Sequence, residues 1–136
     1  MVELALLDTD TLSEVMKGRD ANVRENARQY LATFGAFTFS IITRYEILRG
    51  LKARNAVRQL ARFEQRCRRS QVLPLTDAIV VRAADIYALL YQRGQLISDA
   101  DILIAAIALD HNLTMVTENR EHFQCIPGLI VESWRA

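Results

Sequence analysis

Sulfur, imidazole and lysine are scarce in this sequence: its 136 residues hold two cysteines and two histidines, and the only lysines are Lys17 and Lys52. Cys67 and Cys125 stand far apart, and neither belongs to a Cys/His cluster with a zinc-site pattern. That argues against a zinc ribbon and a disulfide-stapled scaffold, and the thiols are read as reduced and separate. Long apolar runs are missing as well. The stretch 102–109 is far short of a bilayer span, and Asp8 breaks the opening run before a signal-type segment develops. No membrane association and a cytoplasmic location are therefore expected. Repeats, low-complexity tracts and linkers are absent, so residues 1–136 are read as one domain. Charge of one sign is lacking too, and a net charge of +1 argues neither for nor against nucleic acid.

What remains is an ordinary globular composition, 51% apolar and 24% charged. A chain this long buries roughly 68% of its unfolded surface, enough for a core without staples. Residues 2–7 are a short, mostly apolar run stopping at Asp8, the pattern of a buried parallel strand. Leu12, Val15 and Met16 recur at helical spacing over 9–17, and Gly18 closes that helix. A second helix covers about 21–33. Residues 36–39 are strand-like and lead through 40–43 into a helix reaching about 51; residues 54–69 form a separate, basic helix. A short strand at 72–75 surrounds Pro74. Thr76 caps a helix to about 93, with Ile79, Val80, Ala83, Ile86, Tyr87 and Leu90 as its core face and Gly94 at its end. Ser98 or Asp99 opens an apolar helix to about 110. Strands at 113–117 and 130–132 flank a turn at Pro127-Gly128. Strands alternating with helices predict an α/β domain with a mostly parallel sheet.

In open parallel sheets, ligands gather beyond the carboxyl ends of the strands, where the strand order switches. Asp8 stands at one such end, and Asn119 two residues beyond another. Asp101 begins a helix, and Glu46 lies in the first turns of a helix that follows a strand. Carboxylates with an amide suit Mg2+ or Mn2+, which prefer oxygen ligands and keep water. Each acid also has a plainer reading. Asp8 can cap a strand-to-helix turn, and Thr43 with Glu46, like Ser98 with Asp101, fits a capping box. Capping explains each acid singly, but not why three helices open with acid at one expected sheet edge. Asp10 is assigned to the local turn. Two other functions remain compatible. Asp8 and Asp10 have the spacing of an aspartyl-phosphate phosphatase, but neither Lys17 nor Lys52 is placed to hold its phosphate. A non-catalytic binding module is the other, and the retained acids argue against it.

Between residues 44 and 69 nine basic residues face only Glu46 and Glu64. Arg54, Arg58, Arg62, Arg66 and Arg69 recur at helical spacing and predict one guanidinium stripe. Arginine forks suit phosphates and carboxylates. The stripe is therefore a candidate for RNA backbone contact or for docking an acidic partner segment, with a solvated face as the plain alternative. His111, near a helix C-terminus, reads as a surface residue. His122 can approach the site beside Asn119, but no chemical role is expected of it. Tyr87, Tyr91, Phe34, Phe37, Phe39 and Phe63 are assigned to core or interface, and Trp134 to packing the tail down.

Four motifs carry a resemblance. Leu6-Leu7-Asp8-Thr9-Asp10 resembles the opening of PIN-domain ribonucleases, specifically the VapC-type toxins of toxin–antitoxin pairs. Tyr45 to Gly50 is similar to their second acidic motif, and Asp101 to Ala108 to their third, D-x-x-I-A-A-x-A. Val116-Thr117-Glu118-Asn119 with Phe123 resembles the fourth, and Ile126 to Leu129 and Glu132 to Trp134 the close. The resemblance spans nearly the whole chain. It implies a five-stranded parallel sheet between helices in an α/β/α fold, and Mg2+- or Mn2+-dependent cleavage of RNA to 5′-phosphate and 3′-hydroxyl ends. It also implies inhibition by a VapB-type antitoxin and a homodimer. Carried over by position, Asp8 and Asp101 are metal ligands, Glu46 the third acid and Asn119 the fourth catalytic position; Glu46 and Asp99 are further candidates for metal binding. Two positions depart from the pattern. Asn119 is an amide where many relatives have Asp, which puts a second metal in question, and His122 stands where an acid often precedes the Phe.

Overall fold

The structure, a computed structural model, describes residues 3–135. Five short strands, β1 (Ala5–Leu7), β2 (Thr38–Ser40), β3 (Gln71–Leu73), β4 (Thr114–Val116) and β5 (Val131–Glu132), form one sheet in the order β3-β2-β1-β4-β5. Every pairing is parallel, where the sequence pattern predicts a mostly parallel sheet. The helices are α1 (Thr9–Lys17), α2 (Ala21–Phe34), α3 (Ile41–Ala53), α4 (Val57–Arg68), α5 (Asp77–Gln92), α6 (Asp99–Asp110) and α7 (Arg120–Gln124). The strands are shorter than their apolar runs. Val2 lies outside the described residues, and Pro74 follows β3 instead of sitting in it, as befits a residue with no N–H for the ladder. Helix α7 is too short for periodicity to reveal.

Period-two alternation divides the core into two layers. Leu6, Met115 and Leu73 face α5 and α6, packing with Ile79, Leu90, Ile102 and Ile107. Ala5, Leu7, Phe39 and Val116 face the other way, onto Leu12 of α1, Tyr30 of α2, Ile47 of α3 and Phe63 of α4. The result is a three-layer α/β/α sandwich. Trp134 is buried against Tyr30, with ring centroids 5.8 Å apart, and so fastens the tail as expected. The core face of α5 is narrower than its pattern suggests: Ile79, Ala83, Ile86 and Leu90 are buried, but Val80 and Tyr87 are 46% and 43% exposed. They share an outward stripe with Tyr91, whose ring stacks on that of Tyr87 at 6.2 Å.

The strand order locates the functional edge. From β1 the chain builds β2 and β3 on one side, then returns to lay β4 on the other. The switch point therefore lies between the carboxyl ends of β1 and β4, where open parallel sheets hold ligands.

Candidate active site

Asp8 is the first residue past β1, and Thr117 the first past β4. The ladder continues beneath them: Asp8 N–H donates to the Val116 carbonyl at 3.0 Å, and Thr117 N–H to that of Glu132 at 2.9 Å. Asp8 is also the N-cap of α1, accepting the Thr11 N–H on Oδ1 at 2.8 Å, so its plain reading is correct as far as it goes. A cap can sit at the surface, however, whereas Asp8 is only 6% exposed. Burial pushes its carboxyl up to about 6, against the lowering influence of the Thr117 hydroxyl and Thr11, while the charge of Asp10 adds to the rise. Among the described residues no basic side chain forms an ion pair with it.

Glu46 is not a capping-box partner. Ser40, the last residue of β2, caps α3 by accepting the Thr43 N–H at 3.0 Å, which starts the helix earlier and puts Glu46 in its second turn. Glu46 instead reaches across to α1: Thr9 Oγ1 donates to its Oε1 at 2.6 Å and lies 3.0 Å from Thr43 Oγ1. Arg49 Nη2 stands 3.7 Å from Glu46 Oε2. The residue after Asp8 thus ties the second acid to the first.

Asp101 occupies the first turn of α6, whose N-cap Ser98 accepts the Asp101 N–H at 3.2 Å. Its carboxyl is raised by burial and by the negative charges of Glu46 and Asp10, with Ser98 and His122 opposing. Asp10, assigned to the local turn, therefore acts electrostatically on both Asp8 and Asp101. His122, of which no role is expected, brings Nδ1 to 3.9 Å from Asp101 Oδ2.

Asn119 and Asp99 are less central than their sequence positions suggest. Asn119 is exposed, its N–H donates to Thr117 Oγ1 at 2.9 Å, and β4 turns Thr117 toward Asp8 in its place. Asp99 is exposed at the start of α6. Sequence reasoning assigns Thr43 only to a helix cap and gives Thr9 and Thr117 no role, because hydroxyls carry no periodic signal.

The arginines do not form one stripe. Arg54 caps the C-terminus of α3, and α4 begins only at Val57. Arg54, Arg62 and Arg66 line a cleft of about 490 Å³ with Lys17 and Arg19, over an apolar floor that includes Met16, Ile47 and Leu51. Arg58 and Arg69 are not part of that lining. Arg44 is held in an ion pair with Glu64.

The donors at the rim suit a hard divalent cation: carboxylate oxygens, two of them on acids destabilised by burial and by acidic neighbours. Among the described residues no three His, Cys, Asp or Glu side chains gather around one point. A cation there would rest on one or two carboxylates and water, as Mg2+ commonly does.

The family model for the PIN domain matches residues 5–128. Ribonuclease VapC1 of Methanocaldococcus jannaschii is 30% identical over 119 residues, covering 88% of this chain and 78% of the relative. The tRNA(fMet)-specific endonuclease VapC of Salmonella typhimurium is 29% identical over 130 residues, covering 95% of this chain and 96% of that one. Among solved structures, DNA-bound VapBC from Salmonella typhimurium aligns with a TM-score of 0.85 at 29% identity, over 98% of this chain and 99% of that chain.

Proposed function

This chain belongs to the PIN-domain family of VapC-type ribonucleases, and from that premise we propose where and how it cuts. It is the endoribonuclease toxin of a toxin–antitoxin pair. PIN-domain ribonucleases depend on a divalent metal. In this chain Asp8 and Asp101 hold that cation, as Mg2+ or Mn2+, and Glu46 is the third acid. The single observation behind this reading is the buried carboxyl of Asp8 at the β1–β4 switch, facing Thr117 with no basic partner among the described residues.

When bound, the cation supplies charge to neutralise the scissile phosphate and to acidify a water. The chain's own residues do the rest. Thr11 N–H and Thr117 orient Asp8. Thr9 donates to Glu46 Oε1, and Oε2, 3.7 Å from Arg49 Nη2, is the oxygen that would accept a proton from the attacking water. Asn119 borders the site without being required to touch the cation, and Asp99 acts at most through water.

The partners follow from the surface. A cleft with five basic residues over an apolar floor suits an acidic, amphipathic peptide segment better than a bare phosphate chain, so we assign it to a VapB-type antitoxin. The outward stripe of Val80, Tyr87 and Tyr91 supports a homodimer, because one helix face can meet its own copy across a two-fold axis. Among the described residues no helix is long and apolar enough to cross a membrane, and the proposal places the toxin in the cytoplasm with its RNA.

Purified chain should cut RNA when Mg2+ or Mn2+ is added and stop on chelation. Asp101→Asn should lose cleavage while keeping the wild-type circular dichroism spectrum. A folded Asp101→Asn protein that cuts at the wild-type rate would remove the assignment.

A further inference from the structure

Three hydroxyls lead from the end of β2 to the Glu46 carboxylate. Ser40 is the last residue of β2, and Thr9 follows Asp8 just past β1. The parallel register that pairs Leu7 with Phe39 brings these two strand ends level. Ser40 and Thr43 are buried, so their hydroxyls need partners within the protein. Thr43 N–H donates to Ser40 Oγ at 3.0 Å, and the Ser40 hydroxyl donates to Thr43 Oγ1 at 3.4 Å. Thr43 Oγ1 lies 3.0 Å from Thr9 Oγ1, which donates to Glu46 Oε1 at 2.6 Å.

The direction of this chain follows from its last member. An ionised carboxylate only accepts, and a hydroxyl has a single proton. The Thr9 proton lies on the Glu46 side, so the bond between the two threonines takes its proton from Thr43. Thr43 in turn meets Ser40, whose backbone is fixed as both strand end and N-cap of α3. A free Glu side chain samples many rotamers. Arg49 does not hold this one: it is 59% exposed and 3.7 Å away, and such ion pairs constrain little. We propose that Thr9 and Thr43 are positioning residues for RNA cleavage. Their hydroxyls form a one-way chain from Ser40 that fixes the Glu46 carboxylate by Oε1 and leaves Oε2 for the reaction. Each bond in such a chain polarises the next, which strengthens the last one. A cation in the place of Thr9 would also hold Glu46, but would weaken it as a proton acceptor. The inference rests on the reading of Glu46 as the third acid.

The test uses the full-length chain and two readouts. Initial rates on a fluorophore-labelled RNA oligonucleotide that the wild type cuts give kcat and KM. NMR couplings of the metal-free protein, without RNA, give the χ1 rotamer of Glu46. Thr9→Val keeps the shape and removes the hydroxyl. It should lower kcat by about tenfold to a hundredfold, the scale of a misplaced reacting group, with KM little changed and Glu46 averaging between rotamers. Thr9→Ser should recover most of the rate and the single rotamer. Thr43→Val, which leaves Thr9 without its donor, should lower kcat in the same way but less, and Thr43→Ser should restore it. Glu46→Gln should be severely impaired, and adding Thr9→Val to it should cost nothing further, because residues acting as a unit are not additive. If Thr9→Val and Thr43→Val lower only the Tm, with kcat and the Glu46 rotamer as in wild type, the hydroxyls serve packing and the inference is wrong. A rise in KM alone, or a further loss in the double variant, would show Thr9 acting on RNA or elsewhere and also overturn it. Wild-type cleavage by folded Glu46→Gln would instead remove the reading of Glu46 itself.

Discussion

Replacing Asp8 by Asn should make the metal-free protein more stable while destroying its activity. Asp8 is 6% exposed, and burial lifts its carboxyl from 3.8 to about 6. A raised pKa means that the folded chain holds this proton more tightly than the unfolded chain does. Ionisation above pH 6 therefore costs folding free energy, and the cost disappears as pH falls from the folded value through the unfolded one. At about 1.4 kcal/mol per pKa unit the full cost is about 3 kcal/mol. Asn caps a helix about as well as Asp, but loses about 0.5–1 kcal/mol of charge–dipole attraction at the N-terminus. The net gain of about 2 kcal/mol corresponds to a Tm higher by roughly 7 °C for a domain of this size. Calorimetry after chelation, at pH 7.5 and pH 4, measures it directly. The gain should be full at pH 7.5 and nearly gone at pH 4. Saturating Mn2+ should reverse the order, since a ligand at a hundred times its Kd stabilises the wild type by about 2.7 kcal/mol. A lower Tm for Asp8→Asn at pH 7.5 without metal would refute the reasoning and leave Asp8 as a helix cap.

Thr117→Val removes a hydroxyl that holds the Asp8 pKa down, so the acid limb of kcat/KM against pH should move to higher pH; an unmoved limb would sever the two residues. Arg62→Ala with Arg66→Ala should relieve inhibition by the antitoxin while RNA cleavage survives, and the reverse pattern in paired inhibition and cleavage assays would assign the cleft to RNA. Tyr91→Lys places a charge in the outward stripe of α5 and should shift sedimentation velocity toward monomer at unchanged Tm.

Much of the fold is legible because its determinants are local. Thr76 and Ser98 act as the N-caps their positions predict, and Gly18 ends α1 with φ 65°, a conformation that costs glycine little. Continuous apolar runs mark buried parallel strands, since both faces of such a sheet are covered. Asp8 is legible as a candidate site residue because it stands where an apolar strand stops.

The sequence by itself therefore determines the α/β alternation, the capped helices and the acids that end strands or begin helices. Only the tertiary structure decides which of those acids work together. Ser40 wins the cap of α3 from Thr43 because it is the buried end of β2, and that releases Glu46 to accept the hydroxyl of Thr9 from another helix. Lys17 and Arg19 join Arg54, Arg62 and Arg66 only because α1 packs beside α3, which in turn packs on α4. His122 reaches Asp101 because Phe123 anchors a helix too short to predict. Caps and periodicity depend on residues a few positions apart, so the sequence displays them. Side-chain partnerships across the sheet rim depend on strand order and helix packing, which follow from burial summed over the whole chain.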